Sequence, residues 1–151
     1  MKFDFYEDPG HGWLKAPVKL LQELGIAHRI TRYSYLNRRG DYAFLEEDVD
    51  APLFIRTMKE ELGIEVEVRH HYADRNSNVR YNPSYLPEIR FKSFDTPFLY
   101  FTVANVDLCW NPGYGTLINM NTDKIEVPTG SMMSFIQAYY EGREQEGFLL
   151  G

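Results

Sequence analysis

Hydrophobic and polar side chains alternate at both ends of the first 72 residues. Phe3 and Phe5 alternate with polar neighbours, and Ile64, Val66 and Val68 alternate with charged ones. A period of two places one set of side chains on one face of an extended chain. Both stretches are therefore predicted to be strands with one buried face.

Two stretches between these strands have the spacing of amphipathic helices. Val18, Leu21 and Leu24 fall on one helical face, and Gly25 is placed to end that helix. The apolar face of the second helix consists of Phe54, Ile55, Met58 and Leu62. We expect Asp48 or Asp50 to accept amide hydrogen bonds at its start.

A hairpin is predicted between the two helices. Residues 30–36 and 42–46 are rich in β-branched and aromatic side chains, and the loop 37–41 between them contains Asn and Gly. Residues 13–16 can add a further short strand beside the first one. The order over residues 1–72 is that of a ferredoxin-like β-α-β-β-α-β unit, which predicts an α+β fold with an antiparallel sheet and two helices.

The rest of the chain has a different pattern. Residues 73–87 show no periodicity and many turn-forming side chains, which predicts a linker or a long surface loop. Short apolar stretches at 89–94, 98–106, 116–119 and 125–127 predict a β-meander. Ser131 is placed to cap a last helix, so residues 88–151 are expected to form a small β-rich module closed by that helix.

Composition narrows the class of protein. The 151 residues are 44% hydrophobic, carry a formal charge of −6 and include one cysteine, Cys109. An acidic chain disfavours direct binding of nucleic acid, and one cysteine excludes an internal disulfide. The N-terminus lacks the uninterrupted apolar stretch of a signal peptide, and no stretch is long and apolar enough for a membrane span. The expectation is a soluble cytoplasmic protein without a cofactor.

The sharpest local motif is Asp-Pro-Gly-His-Gly at positions 8–12. It resembles the opening motif of zinc-dependent N-acetylmuramoyl-L-alanine amidases, and this resemblance implies that His11 binds zinc. The remaining ligand positions would then fall on Glu46 or Glu47 and on His70 or His71. A catalytic zinc needs three protein ligands, so the alternative is that His11 is exposed or bonds a backbone group.

Three further features have structural interpretations. His70 and His71 are adjacent in a predicted strand, so they should point to opposite faces, with His70 bonded at the edge of the core. The acidic residues 46–50 predict a solvated loop that favours the next helix N-terminus or meets a basic partner. Cys109 has no basic neighbour in sequence, which predicts a buried, unreactive thiol.

The eleven tyrosines are the most unusual feature of the composition. Tyrosine and arginine are favoured at protein interfaces, and several of both lie in the hairpin. The predicted partner-binding residues are Tyr33, Tyr35, Arg38, Arg39, Tyr42, Glu46, Glu47 and Asp48. The alternative is that the tyrosines fill the edges of two small cores.

Residues 8–15, 20–26, 33–35 and 42–48 resemble a family of small uncharacterised proteins encoded by phages and prophages. The resemblance covers about the first 85 residues and supplies no catalytic residue. It implies a non-enzymatic accessory protein that binds a host protein, such as an anti-CRISPR or anti-restriction inhibitor, in the host cytoplasm. A zinc hydrolase using His11 and a structural or assembly protein of the virion are the alternatives.

Overall fold

The computed structural model describes residues 1–142 and confirms the α+β class. The chain divides into two compact units, of which unit 1 is Met1–Tyr85 and unit 2 begins at Leu86. Each unit contains one five-stranded sheet. The last part of the predicted C-terminal module, residues 143–151, lies outside the described residues.

Unit 1 contains five strands and two α-helices. The strands are β1 (Lys2–Glu7), β2 (Gly12–Pro17), β3 (Tyr35–Leu36), β4 (Tyr42–Glu46) and β5 (Glu67–Tyr72). The helices are α1 (Val18–Glu23) and α2 (Asp50–Leu62), and short 3₁₀ turns lie at Ala27–Arg29 and Asn78–Tyr81. The strand order in the sheet is β3-β4-β2-β1-β5.

The sheet of unit 1 has the predicted ferredoxin-like order with one extra strand. β2, β3, β4 and β5, with α1 and α2, follow that order, and β1 is inserted between β2 and β5. The expectation of a wholly antiparallel sheet is wrong at one pairing, because β1 and β5 are parallel. The reason is the hairpin of β1 with β2, which turns β1 into the direction of β5.

One face of this sheet forms the main core with α2. Leu14, Ala16 and Leu45 alternate along β2 and β4 and are completely buried. The ring of Phe3 on β1 meets that of Phe54 on α2 edge-on, with 5.2 Å between the ring centroids. The period-two and helical patterns in the sequence therefore correspond to this face.

The other face of the sheet is covered by residues that follow β5. Trp13 and Phe44 on this face form a buried cluster with Val79. Ser77, Val79 and Tyr85 are all less than 10% exposed. Residues 73–85, predicted as part of a linker or long loop, are therefore part of unit 1, and the division between the units falls after Tyr85.

Two predicted strands of unit 1 are shorter in the structure. Residues 30–34 form turns, and the strand comprises only Tyr35–Leu36, since Ser34 is turned inward toward α2. The last strand begins at Glu67 rather than at Ile64, opposite the start of β1. The short strand predicted at 13–16 is confirmed as β2, but the strand that is additional to the ferredoxin-like order is β1.

Unit 2 is an antiparallel meander followed by a helix, as predicted. Its strands are β6 (Ile89–Asp95), β7 (Phe98–Val103), β8 (Val106–Asn111), β9 (Thr116–Asn119) and β10 (Lys124–Glu126), in the order β10-β9-β8-β7-β6. The predicted stretch 98–106 is divided by a turn at Ala104 and Asn105, and the strand at Val106–Asn111 was not predicted. Helix α3 (Gly130–Tyr140) places Phe135 against Phe101, with 5.3 Å between the ring centroids. Its cap is Thr129 rather than Ser131, because Thr129 Oγ1 accepts the Met132 amide.

Candidate functional site

The turn between β1 and β2 is built around the carboxylate of Asp8. Its Oδ1 accepts the amides of Gly10 and His11, both at 3.0 Å, and its Oδ2 accepts the amide of Ser77 at 2.9 Å. Arg80 donates from Nε to Oδ2 at 2.7 Å and from Nη2 to Oδ1 at 2.9 Å. The Asp8 side chain is only 1% exposed, so this is a buried charge surrounded by donors.

These contacts hold residues 73–85 on the sheet. The hydrogen bond from Arg80, supported by the backbone amides, holds the pKa of Asp8 well below its usual range. The Arg80 guanidinium also lies over the ring of Trp13, 5.0 Å from its centroid. The aspartate of the motif is therefore a structural anchor between the first turn and the segment after β5.

The histidine of the same motif lies on the surface. The His11 side chain is 59% exposed, and its Nδ1 is 3.8 Å from Oε1 of Glu47. Within residues 1–142, no group of three or more His, Cys, Asp or Glu side chains is placed to hold a metal ion. The ligand set that the amidase resemblance implies does not fit this geometry, because neither His70 nor His71 joins His11.

The two adjacent histidines point to opposite faces of β5, as predicted. His70 meets the ring of Phe5 at 5.6 Å, and His71 stacks on Tyr6 at 4.9 Å. Each imidazole also lies within hydrogen-bonding distance of a carboxylate on β1. The expected burial of His70 is wrong: its side chain is 62% exposed, since β5 is an edge strand.

The acidic residues after β4 have different roles. Glu46 accepts the amides of Asp48, Val49 and Asp50 at 2.8, 2.6 and 2.8 Å. Glu46, rather than Asp48 or Asp50, therefore satisfies the backbone at the start of α2. Glu47 and Asp48 are exposed.

Asp50 is buried beneath the turn that precedes β3. Its Oδ2 accepts the amide of Thr31 at 3.0 Å, the Thr31 hydroxyl at 2.7 Å and the Ser34 hydroxyl at 2.5 Å. Burial raises the pKa of this carboxyl group. Tyr33 lies between the two bonded residues, and 71% of it is exposed. The network therefore fixes a turn that carries an exposed aromatic side chain.

The predicted partner-binding residues do not form one surface. Tyr33, Glu47 and Asp48 lie near the end of β4 where α2 begins, and Arg38, Arg39 and Tyr42 lie at its other end. Four residues of β4, 43–46, lie between Tyr42 and Glu47, so these two residues are about 17 Å apart along the strand. Tyr35 is half-buried against Trp13, so its role is in packing.

The tyrosines divide into buried and exposed members. Tyr85 is 3% exposed and donates its hydroxyl to the Ala27 carbonyl at 2.6 Å, so it is a core residue. Tyr72 and Tyr81 are 65% and 71% exposed. The interface interpretation therefore applies to only part of the set.

A cleft that the sequence did not indicate lies on the second face of unit 1. Its volume is about 370 Å³, within the range of small-ligand and side-chain pockets. The walls include Tyr6, His71, Tyr72, Asn78, Val79 and Asn82. Residues 73–82 carry no hydrophobic period, so the sequence offered only the isolated Val79 as a sign that they cover the sheet.

Cys109 is buried in unit 2, as predicted. Burial raises the pKa of its thiol, so the nucleophilic thiolate is disfavoured. This agrees with the predicted structural role of the cysteine.

Comparison with known proteins gives no family for the chain. No family model, curated protein or solved structure matches it. Among the described residues, no helix is long and apolar enough to cross a membrane. The functional argument therefore depends on the surface chemistry of the two units.

Proposed function

We propose that the protein is a non-enzymatic accessory protein, encoded by a phage or prophage, that binds a host protein and inhibits or modulates it. The anti-CRISPR and anti-restriction inhibitors are the type we have in mind, acting in the host cytoplasm. The resemblance to phage proteins supports the origin, and it covers about 85 residues, the length of unit 1. We infer that unit 1 carries the shared function.

The observation that carries the proposal is the exposure of Tyr33 on a fixed turn. The hydrogen bonds of Thr31 and Ser34 to Asp50 hold the backbone on both sides of it. Val49, at the start of α2, is also 59% exposed. An aromatic side chain held in solvent loses little entropy when a partner covers it, which is typical of interface hot spots.

The charges near Tyr33 are the guanidinium of Arg32, which lies over its ring 6.0 Å from the centroid, and the acidic residues at the end of β4. Glu47 and Asp48 are exposed next to Val49, and the Glu46 carboxylate accepts backbone amides at the start of α2. This acidic end of the sheet, defined by Tyr33, Glu47, Asp48 and Val49, complements a basic protein surface. It disfavours a nucleic-acid phosphate backbone.

Binding assays on variants test the proposal. Tyr33→Ala is expected to weaken retention of a host protein from lysate about tenfold, a typical hot-spot effect. Tyr114→Ala is the matched control, because Tyr114 is 84% exposed in unit 2. Titration of the captured protein against each variant gives the dissociation constants. Equal binding by both variants, or no captured protein, would contradict the proposal.

Metal content distinguishes the proposal from a zinc hydrolase. Because the described residues bring no three ligands together, the purified untagged chain is expected to contain far less than one zinc per molecule. His11→Ala should leave both metal content and partner binding unchanged. One zinc per chain that is lost in His11→Ala would restore the hydrolase. A virion structural protein would instead form multimers, which sedimentation detects.

A further inference from the structure

β5 is an end strand of the sheet in unit 1, and within residues 1–142 no strand pairs with one of its two backbone edges. The amides of Glu67 and Ala73, at the two ends of β5, donate to carbonyls of Met1 and Glu7. The backbone N–H and C=O groups of successive residues point to opposite edges of a strand. Those of the odd-numbered residues of β5 therefore point toward β1. The amides and carbonyls of Val68, His70 and Tyr72 therefore point away from the sheet.

The charged side chains of β5 do not protect this edge. Exposed edges are usually blunted by charges, prolines or bulges. Here Arg69 Nε and His71 Nε2 lie 3.1 and 2.9 Å from Oδ1 of Asp4 on β1. His70 Nδ1 lies 3.2 Å from Oε1 of Glu7, also on β1. The three side chains are directed back onto the sheet, so the edge is left accessible.

The cleft described above borders the same end of β5. His71 and Tyr72 line it, and His71 stacks on Tyr6 with an interplanar angle of 18°. Val79 forms an apolar wall, and Asn78 adds an exposed amide. An added strand at β5 would place alternate side chains on this face. Aromatic walls with a polar rim suit one large apolar or aromatic side chain.

We propose that an extended segment of the partner protein adds to β5 as a sixth strand and inserts one large apolar or aromatic side chain into the cleft. Backbone hydrogen bonds to residues 68, 70 and 72 supply affinity, and the cleft supplies specificity. This inference rests on the proposed function and gives unit 1 a second contact with its partner, at the edge of the sheet opposite to β3.

A second copy of the chain fits the edge less well than a foreign strand. Antiparallel pairing of two β5 strands centred on Arg69 would place the Arg69 side chains of the two copies opposite each other. Like charges directly opposite each other on paired strands are destabilising. A partner strand has no such restriction.

A displayed library of random 12-residue peptides, selected against the full chain, provides the probe. Selected peptides are expected to share a large apolar or aromatic residue. On binding, hydrogen exchange measured by NMR should slow at the amides of Val68, His70 and Tyr72. If no peptide is selected, or if the bound peptides leave these amides unprotected, the inference is overturned.

A proline variant tests the backbone contacts separately. Tyr72→Pro removes one outward amide without breaking a bond to β1, and proline is tolerated on such an edge. We expect this variant to bind the selected peptide about tenfold more weakly. Tyr72→Thr keeps the amide and, like Tyr72→Pro, lacks the ring that lines the cleft, so it should bind the selected peptide about tenfold more tightly than Tyr72→Pro. An equal loss of peptide affinity in both variants would overturn the role of the backbone hydrogen bonds. If Tyr72→Pro does not fold, the hydrogen-exchange measurement decides instead.

Filling the cleft and measuring self-association complete the test. Asn78→Trp is expected to abolish selection of the large side chain.

Protection of the β5 amides without peptide, in a dimer seen by sedimentation, would assign the edge to a second copy and overturn the inference. Host-protein capture that depends on Tyr33 but not on the Tyr72 amide would leave the proposed function standing while this inference fails. Peptide binding at β5 without any captured host protein would support this inference and contradict the proposed function.

Discussion

Replacing Asp8 with asparagine is expected to lower the free energy of unfolding by about 3–5 kcal/mol, the typical cost of breaking a buried ion pair. The variant leaves the Arg80 guanidinium, whose side chain is 28% exposed, without its carboxylate. The side-chain nitrogen of an asparagine at this position cannot accept the hydrogen bonds that Oδ2 now receives from Ser77 and Arg80. Urea unfolding, followed by far-UV circular dichroism and tryptophan fluorescence, measures the loss.

Asp4→Asn is the matched control for this variant. Asp4 also bonds an arginine and a histidine, but its side chain is 27% exposed and its partners Arg69 and His71 are 61% and 48% exposed. Such exposed pairs contribute about 0–1 kcal/mol, so Asp4→Asn should change stability little. Equal losses in the two variants would show that burial of Asp8 has no special role.

The low pKa of Asp8 gives its contribution a defined pH dependence. The folded pKa is depressed below the unfolded value of about 3.9, so the stabilisation is complete above that value. It is lost progressively as the pH falls from about 4 toward the folded pKa. The difference between the native chain and Asp8→Asn should therefore shrink below pH 4. A difference independent of pH would exclude an ionised Asp8.

Local sequence patterns predicted most elements of this fold. Leu14, Leu45 and Phe54 became core residues because strand and helix periods already place them on one side. The meander of unit 2 was also predictable, although its β7–β8 turn was not marked by glycine. Ala104 and Asn105 form that turn with φ values of 51° and 60°, which the usual Asn-Gly signal would not have found.

Contacts between distant residues were not predictable in the same way. Asp8 meets Ser77 and Arg80 about 70 positions later, and no local period relates them. The parallel pairing of β1 with β5 depends on the direction in which the β1–β2 hairpin inserts. The cover over the second face of the sheet was therefore interpreted as a linker, because residues 73–85 pack through single side chains.

The motif at residues 8–12 marks a turn that is important for the structure, but the residue that gives the turn this role is Asp8 and not His11. Asp-Pro-Gly-His-Gly resembles a metal-binding motif through His11, whereas the structure uses Asp8 as the anchor. Gly12 is fixed by packing, since a Cβ there would lie 2.5 Å from the ring of Phe5. Glu46 was assigned to the contact surface, but its carboxylate is occupied by the backbone of α2. Exposure, which sequence alone did not give, separates Tyr33 from Tyr35.

Asp50→Ala is expected to lower the free energy of unfolding by about 3 kcal/mol. The change leaves the hydroxyls of Thr31 and Ser34 and the Thr31 amide without their shared acceptor. The same loss frees the turn that carries Tyr33, so binding of the proposed partner should also weaken. Urea unfolding and titration with the captured partner measure the two effects. A stable variant with unchanged binding would show that the turn is held by other contacts.

Asp50→Asn separates the charge of this residue from its hydrogen bonds. The asparagine oxygen can still accept from Thr31 and Ser34, so the loss should be smaller than in Asp50→Ala. Because burial raises the folded pKa of Asp50 above the unfolded value of about 3.9, ionising Asp50 costs more free energy in the folded chain than in the unfolded one. Its stability relative to Asp50→Asn should rise as the pH falls through the folded pKa toward about 4.

This increase is opposite in sign to the loss expected for Asp8, and it occurs at higher pH. Comparison of the native chain with each asparagine variant between pH 3 and pH 7 therefore resolves the two carboxylates. As the pH falls from 7 to about 4, the stability of the native chain relative to Asp50→Asn should rise. As the pH falls further, its stability relative to Asp8→Asn should decrease. If the native chain instead loses stability relative to Asp50→Asn as the pH falls from 7 to about 4, the fold stabilises Asp50 in its charged form. The three hydrogen bonds would then outweigh the cost of burial.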